Sequence, residues 1–530
     1  MARTPLFAAL RRALRRAHAA NLTDGAPPPA PSSADGPSRR WILGAAAITP
    51  IAIACRPAMR ASAQPTVAIV GGGVAGLLCA HRLAQGGVTA TLYEASGRTG
   101  GRMFTARGKL AEGQLCELGA ELIDTEHVTM HALAAELGLA LDDRQDDAAG
   151  LEAETYYFDG KTHEIAEVVA AFRPLAETMA QQTRAMAASE QVRAQLDDQT
   201  LSAYLEDAGL APTSMLRRLI EVAYATEMGL PPEEQSALNF LQMIDFETLD
   251  PFRIFGDSDT RYHTHLGNDA IPGALAERLT DRIALEHVLT RVAGGADGFR
   301  LGFATPPGDI EVRADHVVLA LPWTLLRTLD LTGLELPEER RTKIAELGYG
   351  TNAKLMMQFA RRVWKEHGAA GAIFTDDPLQ TTWDTTPGQP GTAGVLTNFV
   401  GGGRGLTIGE GTAEEQAMAM LPYIDAIYPG TAAAYLPNSA LRMHWPSHPW
   451  TRGSYSCFRP GQNHWAGALG ERIGRLHFAG EHTSAEFSGY MEGAAESGER
   501  AAREVLGDLG IAVPPSAAMQ RRAARSRRAA

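Results

Sequence analysis

Thr66-Val-Ala-Ile-Val-Gly-Gly-Gly-Val-Ala-Gly76 is the stretch whose reading decides the fold. Thr66 to Val70 is a short apolar, β-branched run and reads as a buried strand. Gly71, Gly73 and Gly76 follow as G-x-G-x-x-G. The first glycine permits a tight turn, the second lets backbone approach a pyrophosphate, and the third lets a helix pack closely on the strand. A helix from about Val74 to Ala84 would aim its positive end at those phosphates. The next strand, Thr89 to Tyr93, ends at Glu94, 18 residues beyond Gly76. A carboxylate at that spacing suits the ribose hydroxyls of a dinucleotide.

Just outward lies Ser96-Gly-Arg-Thr-Gly-Gly-Arg-Met103, with Arg98 and Arg102 beside a glycine pair. Arginines so placed suit bidentate contact with phosphate. At the far end of the chain stands Phe478-Ala-Gly-Glu-His-Thr-Ser-Ala-Glu-Phe-Ser-Gly-Tyr-Met-Glu-Gly493. Together these segments resemble the FAD-dependent flavin amine oxidases, a family that includes monoamine, polyamine and L-amino-acid oxidases. The resemblance covers nearly all of residues 65 to 508. Gly480 to Ser484 is most similar to the polyamine oxidase version, and Ser488 to Gly493 to the monoamine oxidase version.

The resemblance implies FAD and a set of roles. Glu481 would bind the ribityl chain, and Met491 would offer a backbone N–H to the flavin pyrimidine edge. Such a helix start favours the negative charge of reduced flavin. The backbone of Val288 would meet the adenine, and Gly119-Ala120 corresponds to a Gly-Pro of the family. Tyr455 and Tyr490 match the tyrosines that flank the substrate amine, where aromatic faces attract a cation without supplying a strong base. Ser454 stands where monoamine oxidases carry a cysteine bonded to the flavin, so FAD is expected to be non-covalent. Lys354 interrupts the apolar strand Ala353 to Phe359, where a lysine is costly unless partnered. It matches the family lysine that holds a water near the flavin.

These resemblances imply oxidation of a primary or secondary amine to an imine, with O2 reduced to H2O2. An L-amino-acid oxidase of the same fold is the nearer alternative. That subfamily carries an arginine shortly after the Gly-Pro, whereas this chain reads Gly119-Ala-Glu-Leu-Ile-Asp124. Glu121 and Asp124 are instead expected to attract a second amine, as polyamine oxidases do from a similar position; another arginine could still serve a carboxylate. A non-catalytic exported flavoprotein is the distant alternative.

The fold expected is mixed α/β: a Rossmann-like FAD domain (64–125, 270–330 and 466–510) interleaved with a substrate domain of sheet plus helices (126–269 and 331–465). Residues 126 to 245 read mainly as helices at Met130 to Leu139, Ile165 to Ala187 and Met215 to Glu227. Tyr262-His-Thr-His265 reads as a polar loop rather than a metal site, and Gly401-Gly-Gly-Arg-Gly405 as a turn. No metal is expected.

The 530 residues carry a net charge of −13. The first 63 residues differ from the rest, with nine arginines against only Asp24 and Asp35. Without them the body is at −20, which argues against nucleic acid as a partner. Ser38-Arg-Arg-Trp-Ile-Leu43 is a twin-arginine signature followed by an apolar run to about Ala54, too short to span a bilayer comfortably. Ala61-Ser62-Ala63 offers a cleavage site, and Cys55 leaves lipidation as an alternative. The expected partners are an amine, O2 and the twin-arginine export machinery, with a periplasmic or secreted destination and no stable membrane span in the mature form. Cys79, Cys116 and Cys457 have no paired spacing, and the tail from 511 to 530 reads as basic and disordered.

Overall fold

In the computed structural model, residues 65–144, 147, 150–243, 259–513 and 520 are described. The twin-arginine segment, Cys55, the cleavage site and nearly all of the tail lie outside them.

β1 (Val67–Val70) is buried throughout and runs into α1 (Val74–Gln85). β2 (Ala90–Tyr93), β3 (Ile283–Ala284), β4 (His316–Leu319) and β5 (Leu476–Phe478) complete a parallel sheet in the order β5-β4-β1-β2-β3. The strand order reverses beside β1, so the crevice at the carboxyl ends of β1 and β4 is a topological switch point, where such sheets bind ligands. α2 (Met491–Asp508) packs on α1. Gly498 makes that approach possible, since a Cβ there would sit 2.3 Å from the carbonyl oxygen of Ala75. A three-stranded antiparallel meander (Val288–Gly295, Gly298–Ala304, Ile310–Ala314) lies between β3 and β4 in the chain.

The second sheet has seven strands, in the order Leu441–His444, Ala353–Phe359, Gly394–Val400, Thr381–Asp384, Ala369–Thr375, Glu152–Phe158, Lys161–His163. Its pairs are antiparallel except Ala369–Thr375 with Glu152–Phe158. Helices Ile165–Ala188 and Met215–Met228 pack an apolar core against Tyr156, Phe158 and Phe374 of this sheet. The two sheets therefore draw on alternating stretches of the chain.

Several local expectations are corrected. Helix Val128–Leu137, grouped above with the substrate domain, buries Met130, Leu133 and Ala134 in one core with α1, α2 and Ile271. The cut at 125/126 is therefore not a break in packing. Within the helical stretch, Glu152–Phe158 and Lys161–His163 are strands that extend the larger sheet. Tyr262–Thr264 is a strand paired with Leu141–Asp143, not a loop. Gly401 is the N-cap of helix Gly402–Thr407, so that glycine run opens a helix instead of closing a turn. Among the described residues, no helix is long and apolar enough to cross a membrane.

Candidate active site

The three glycines of the first motif do three different things. Gly71 sits at φ +110°, and a Cβ there would lie 2.4 Å from Ala320 O. At Gly76 a Cβ would lie 2.0 Å from Gly71 O, so the helix can only sit this close without one. Gly73 has ordinary extended geometry (φ −73°, ψ 177°), and a Cβ there meets nothing within 4 Å. That open space belongs to a cavity of about 350 Å³ at the switch point. Glu94, at the end of β2, accepts from Gly72 N (2.7 Å) and from Ser96 N and Oγ (2.8 and 2.7 Å). Its carboxylate is thus held at the lip of the cavity, where ribose hydroxyls would reach it.

Arg98 and Arg102 both line this cavity. Arg98 lies over the Phe104 ring at 3.8 Å and donates to the carbonyls of Thr99 (3.0 Å) and Gly101 (2.6 Å). It braces the loop whose Gly100 N–H reaches Gly72 O at 2.8 Å. Arg102 joins the two ends of the chain, pairing with Glu481 at 2.9 Å and donating to Ser454 O at 2.7 Å. Gly119 lets its loop pass close to Arg102, since a Cβ would fall 1.8 Å from Arg102 O, and Ala120 N–H bonds that same oxygen at 3.0 Å. Val288 opens its strand at the cavity wall, between His287 and Leu289.

Glu481 is buried and accepts four protein bonds: from Arg102, from Ser456 N (3.2 Å) and Oγ (2.8 Å), and from Gly489 N (2.7 Å). Burial raises its carboxyl pKa, but Arg102, His482 and Ser456 outweigh that and hold it at about 2. Ser456 follows Tyr455 and Gly489 precedes Tyr490, so one carboxylate fastens both tyrosine-bearing loops. Tyr455 donates its hydroxyl to Glu227 O at 2.7 Å, at the end of helix Met215–Met228. Tyr490 is the N-cap of α2, and its ring meets His127 edge-on at 5.4 Å. Met491 begins α2 at the cavity, so the positive end of that helix faces the space. Ser454 Oγ donates to Asn352 Oδ1 at 2.6 Å.

Lys354 is buried on an interior strand of the larger sheet. Its Nζ pairs with Glu121 Oε2 at 2.8 Å, donates to Glu117 O at 3.2 Å and sits 5.2 Å above the Trp383 ring. Glu121 also accepts from Trp383 Nε1 (2.9 Å) and Thr385 Oγ1 (3.0 Å), with Arg144 at 3.4 Å. Burial pushes its carboxyl up, yet Lys354 and Arg144 outweigh burial and keep it at about 2. This corrects the role expected of Glu121. Its charge is already neutralised by two cations of the protein, so it is not available to a second substrate amine. Asp124 also lines the cavity, but it accepts from Thr260 N at 2.9 Å and faces His127 Nε2 at 3.6 Å. His127 is held neutral by burial, with its pKa pushed down to about 3.

Residues 74–506 match the family described as flavin containing amine oxidoreductase. The chain belongs to that family. Flavin-containing amine oxidase A of Canis lupus familiaris is 27% identical over 460 residues, covering 84% of this chain and 85% of the relative. An L-amino acid dehydrogenase of Synechocystis sp. is 25% identical over 472 residues, covering 83% and 94%. Cyclohexylamine oxidase from Brevibacterium oxydans IH-35A shares the fold, with TM-score 0.72, 23% identity and coverage of 84% and 99%. Wild-type putrescine oxidase bound to putrescine does so with TM-score 0.70, 22% identity and the same coverage.

Membership of this flavin amine oxidoreductase family implies FAD, and the residues present fit it. The open space at Gly73, the carboxylate of Glu94 and the start of α2 face one cavity of dinucleotide character. Sequence reasoning missed Trp383, Phe399, Asn352 and Trp445, which line the same space. Trp383 and Phe399 stand on neighbouring strands with rings 5.5 Å apart, a proximity set by strand register that no sequence spacing reveals. The histidines of Tyr262–His265 are separately spent, His263 on Glu117 at 2.8 Å and His265 on Asp142 at 3.0 Å.

Proposed function

We propose that this flavin amine oxidoreductase oxidises a primary or secondary amine lacking an α-carboxylate to an imine, which hydrolyses to a carbonyl compound. The observation that carries the reading is that the dinucleotide turn, Tyr455, Tyr490 and Lys354 border a single cavity, with Trp383 and Phe399 completing an aromatic wall. When bound, FAD supplies hydride acceptance from the amine α-carbon and delivery of the electrons to O2, yielding H2O2. The protein must receive the amine as the neutral base. For a free amine pKa of about 10, deprotonation at pH 7 costs roughly 4 kcal/mol. A desolvated aromatic wall lowers the pKa of the bound amine and offsets part of that cost. Lys354, locked to Glu121, presents its remaining donor capacity to a water rather than a second charge to the substrate. With Glu121 neutralised, an apolar monoamine suits the cavity better than a diamine. Ser454 offers no thiol, so the flavin is held without a covalent bond. The leader directs export by the twin-arginine route to the periplasm or beyond.

A second reading is L-amino-acid oxidation, favoured by the Synechocystis relative and by Arg452, which lines the cavity and is exposed. Phenylalanine and phenethylamine differ only by the carboxylate, so peroxide release from each separates the two readings. Preference for phenethylamine by about a hundredfold or more is expected, since an unpaired carboxylate in a desolvated site costs several kcal/mol. Preference for phenylalanine that disappears in Arg452→Ala would establish the amino-acid reading instead.

A further inference from the structure

Away from the cavity, His316 opens β4 and His477 lies on neighbouring β5, both buried. Their rings stack at 5.8 Å with 23° between planes. His316 Nδ1 and His477 Nε2 are buried without a hydrogen-bond partner. Both face the same oxygen, Asp508 Oδ2, at 3.8 and 3.9 Å. Those separations are too long for hydrogen bonds. They suit atoms that share an ion. The ligand atoms of the three residues lie within 4.8 Å of one another, and tetrahedral ligands ~2.0–2.1 Å from zinc stand ~3.4 Å apart, so small ring rotations close the set.

The surroundings prepare the set in two ways. His477 Nδ1 is 2.9 Å from Glu504 Oε2, which keeps the proton on Nδ1 and leaves the Nε2 lone pair directed at Asp508. A carboxylate behind a histidine is the usual support of a metal ligand. Asp508 ends α2, whose carbonyl end favours a cation. Arg472 holds Asp508 through both carboxylate oxygens at 2.6 Å and is the group an arriving ion must compete with.

We propose that His316, His477 and Asp508 bind a divalent transition-metal ion, with zinc best suited to two imidazoles and a carboxylate. Bound there, the ion pins β4, β5 and the end of α2 together. At 1.5 Å per residue, Asp508 lies about 25 Å along α2 from the end that faces the cavity, so the role is structural rather than redox. The three residues are scattered along the chain, and no spacing in the sequence displays them as a set.

The test is calorimetric titration of chelator-treated, dialysed FAD-loaded enzyme with zinc sulfate, together with its unfolding midpoint. Native enzyme is expected to take up one zinc more than Asp508→Asn, or to bind it at least ~10-fold more tightly. Zinc should raise the midpoint of the native enzyme only. Arg472→Gln, which frees Asp508, should bind as tightly as native or tighter. His316→Gln is a second loss-of-ligand variant should Asp508→Asn fail to fold. Equal binding by native enzyme and either ligand variant overturns the proposal, as does no uptake by native enzyme or loss of binding in Arg472→Gln alone. Zinc that alters the flavin spectrum equally in native enzyme and the variants, with no additional zinc taken up by native enzyme, marks another site and overturns it too.

Discussion

At the scale of single residues, Gly73 and Gly76 separate cofactor space from packing space. Gly73→Thr keeps an N-cap residue and an allowed backbone, and its Cβ meets no protein atom within 4 Å. The apoprotein should stay within about 0.5 kcal/mol of native in denaturant titrations. FAD binding should fall by more than ~100-fold, because the new side chain stands where the pyrophosphate belongs. Gly76→Ala should do the reverse, costing about 1–3 kcal/mol of stability by overpacking against Gly71 O. Both roles were legible in the sequence, because G-x-G-x-x-G constrains backbone and backbone constraints are local.

Lys354 is the other residue that invites substitution. Lys354→Met should retain FAD and slow flavin reoxidation by O2 more than reduction by amine, measured as separate half-reactions by stopped flow. Equal losses would mark Lys354 as purely structural. A stability effect accompanies it. Glu121 titrates at about 2 in the fold against an ordinary 4.5, so its ion pairs stabilise above pH 4.5 and that stabilisation is lost as pH falls through about 2. Removing Lys354 leaves a buried carboxylate underpaired, at a cost of up to ~3 kcal/mol near neutral pH. The gap between native and variant should therefore narrow on acidification below pH 4.5. The sequence announced a lysine in need of a partner, but the partner had to come from the structure.

At the scale of elements, α2 reaches across to helix Val128–Leu137. Glu492, in the first turn of α2, accepts from Thr129 N at 2.8 Å and Met130 N at 2.9 Å, so it caps the other helix. Burial pushes its carboxyl up to about 7 despite those two bonds. A carboxyl raised in the fold binds its proton more tightly there than when unfolded. Its contribution thus falls as pH rises from 4.5 to about 7, by up to ~3 kcal/mol. Glu492→Gln should flatten the stability curve in that window and leave the variant relatively more stable at pH 8. Parallel curves for native enzyme and variant would refute this. The helices themselves were legible from apolar periodicity, as Ile165–Ala188 and Met215–Met228 demonstrate. The strand Glu152–Phe158 was not, because its exposed acidic start masks the alternation and its partner, Ala369–Thr375, lies more than two hundred residues on.

At the scale of the whole molecule, the flavin and the leader each give an expected outcome. Acid precipitation should release intact FAD into the supernatant, since Ser454 cannot form a thioether; flavin remaining in the pellet would contradict non-covalent binding. Arg39→Lys with Arg40→Lys should leave FAD-loaded, active precursor in the cytoplasm, and the exported native form should begin at or near Gln64. Unchanged export of the double variant would refute the twin-arginine assignment.

The sequence by itself determined the dinucleotide turn and the flavin family, because these are carried by short contiguous motifs whose chemistry needs those residues in that order. Only the tertiary structure decided how the motifs serve one another. Arg102 meets Glu481 across 379 positions, and that carboxylate fastens the loops of both tyrosines. Glu121, read as a receptor for substrate charge, proved to be neutralised by Lys354 and Arg144. Whether a carboxylate is free or paired depends on which cations the fold brings within a few ångströms. The interleaving of two sheets through the chain sets those distances, and no local spacing encodes them.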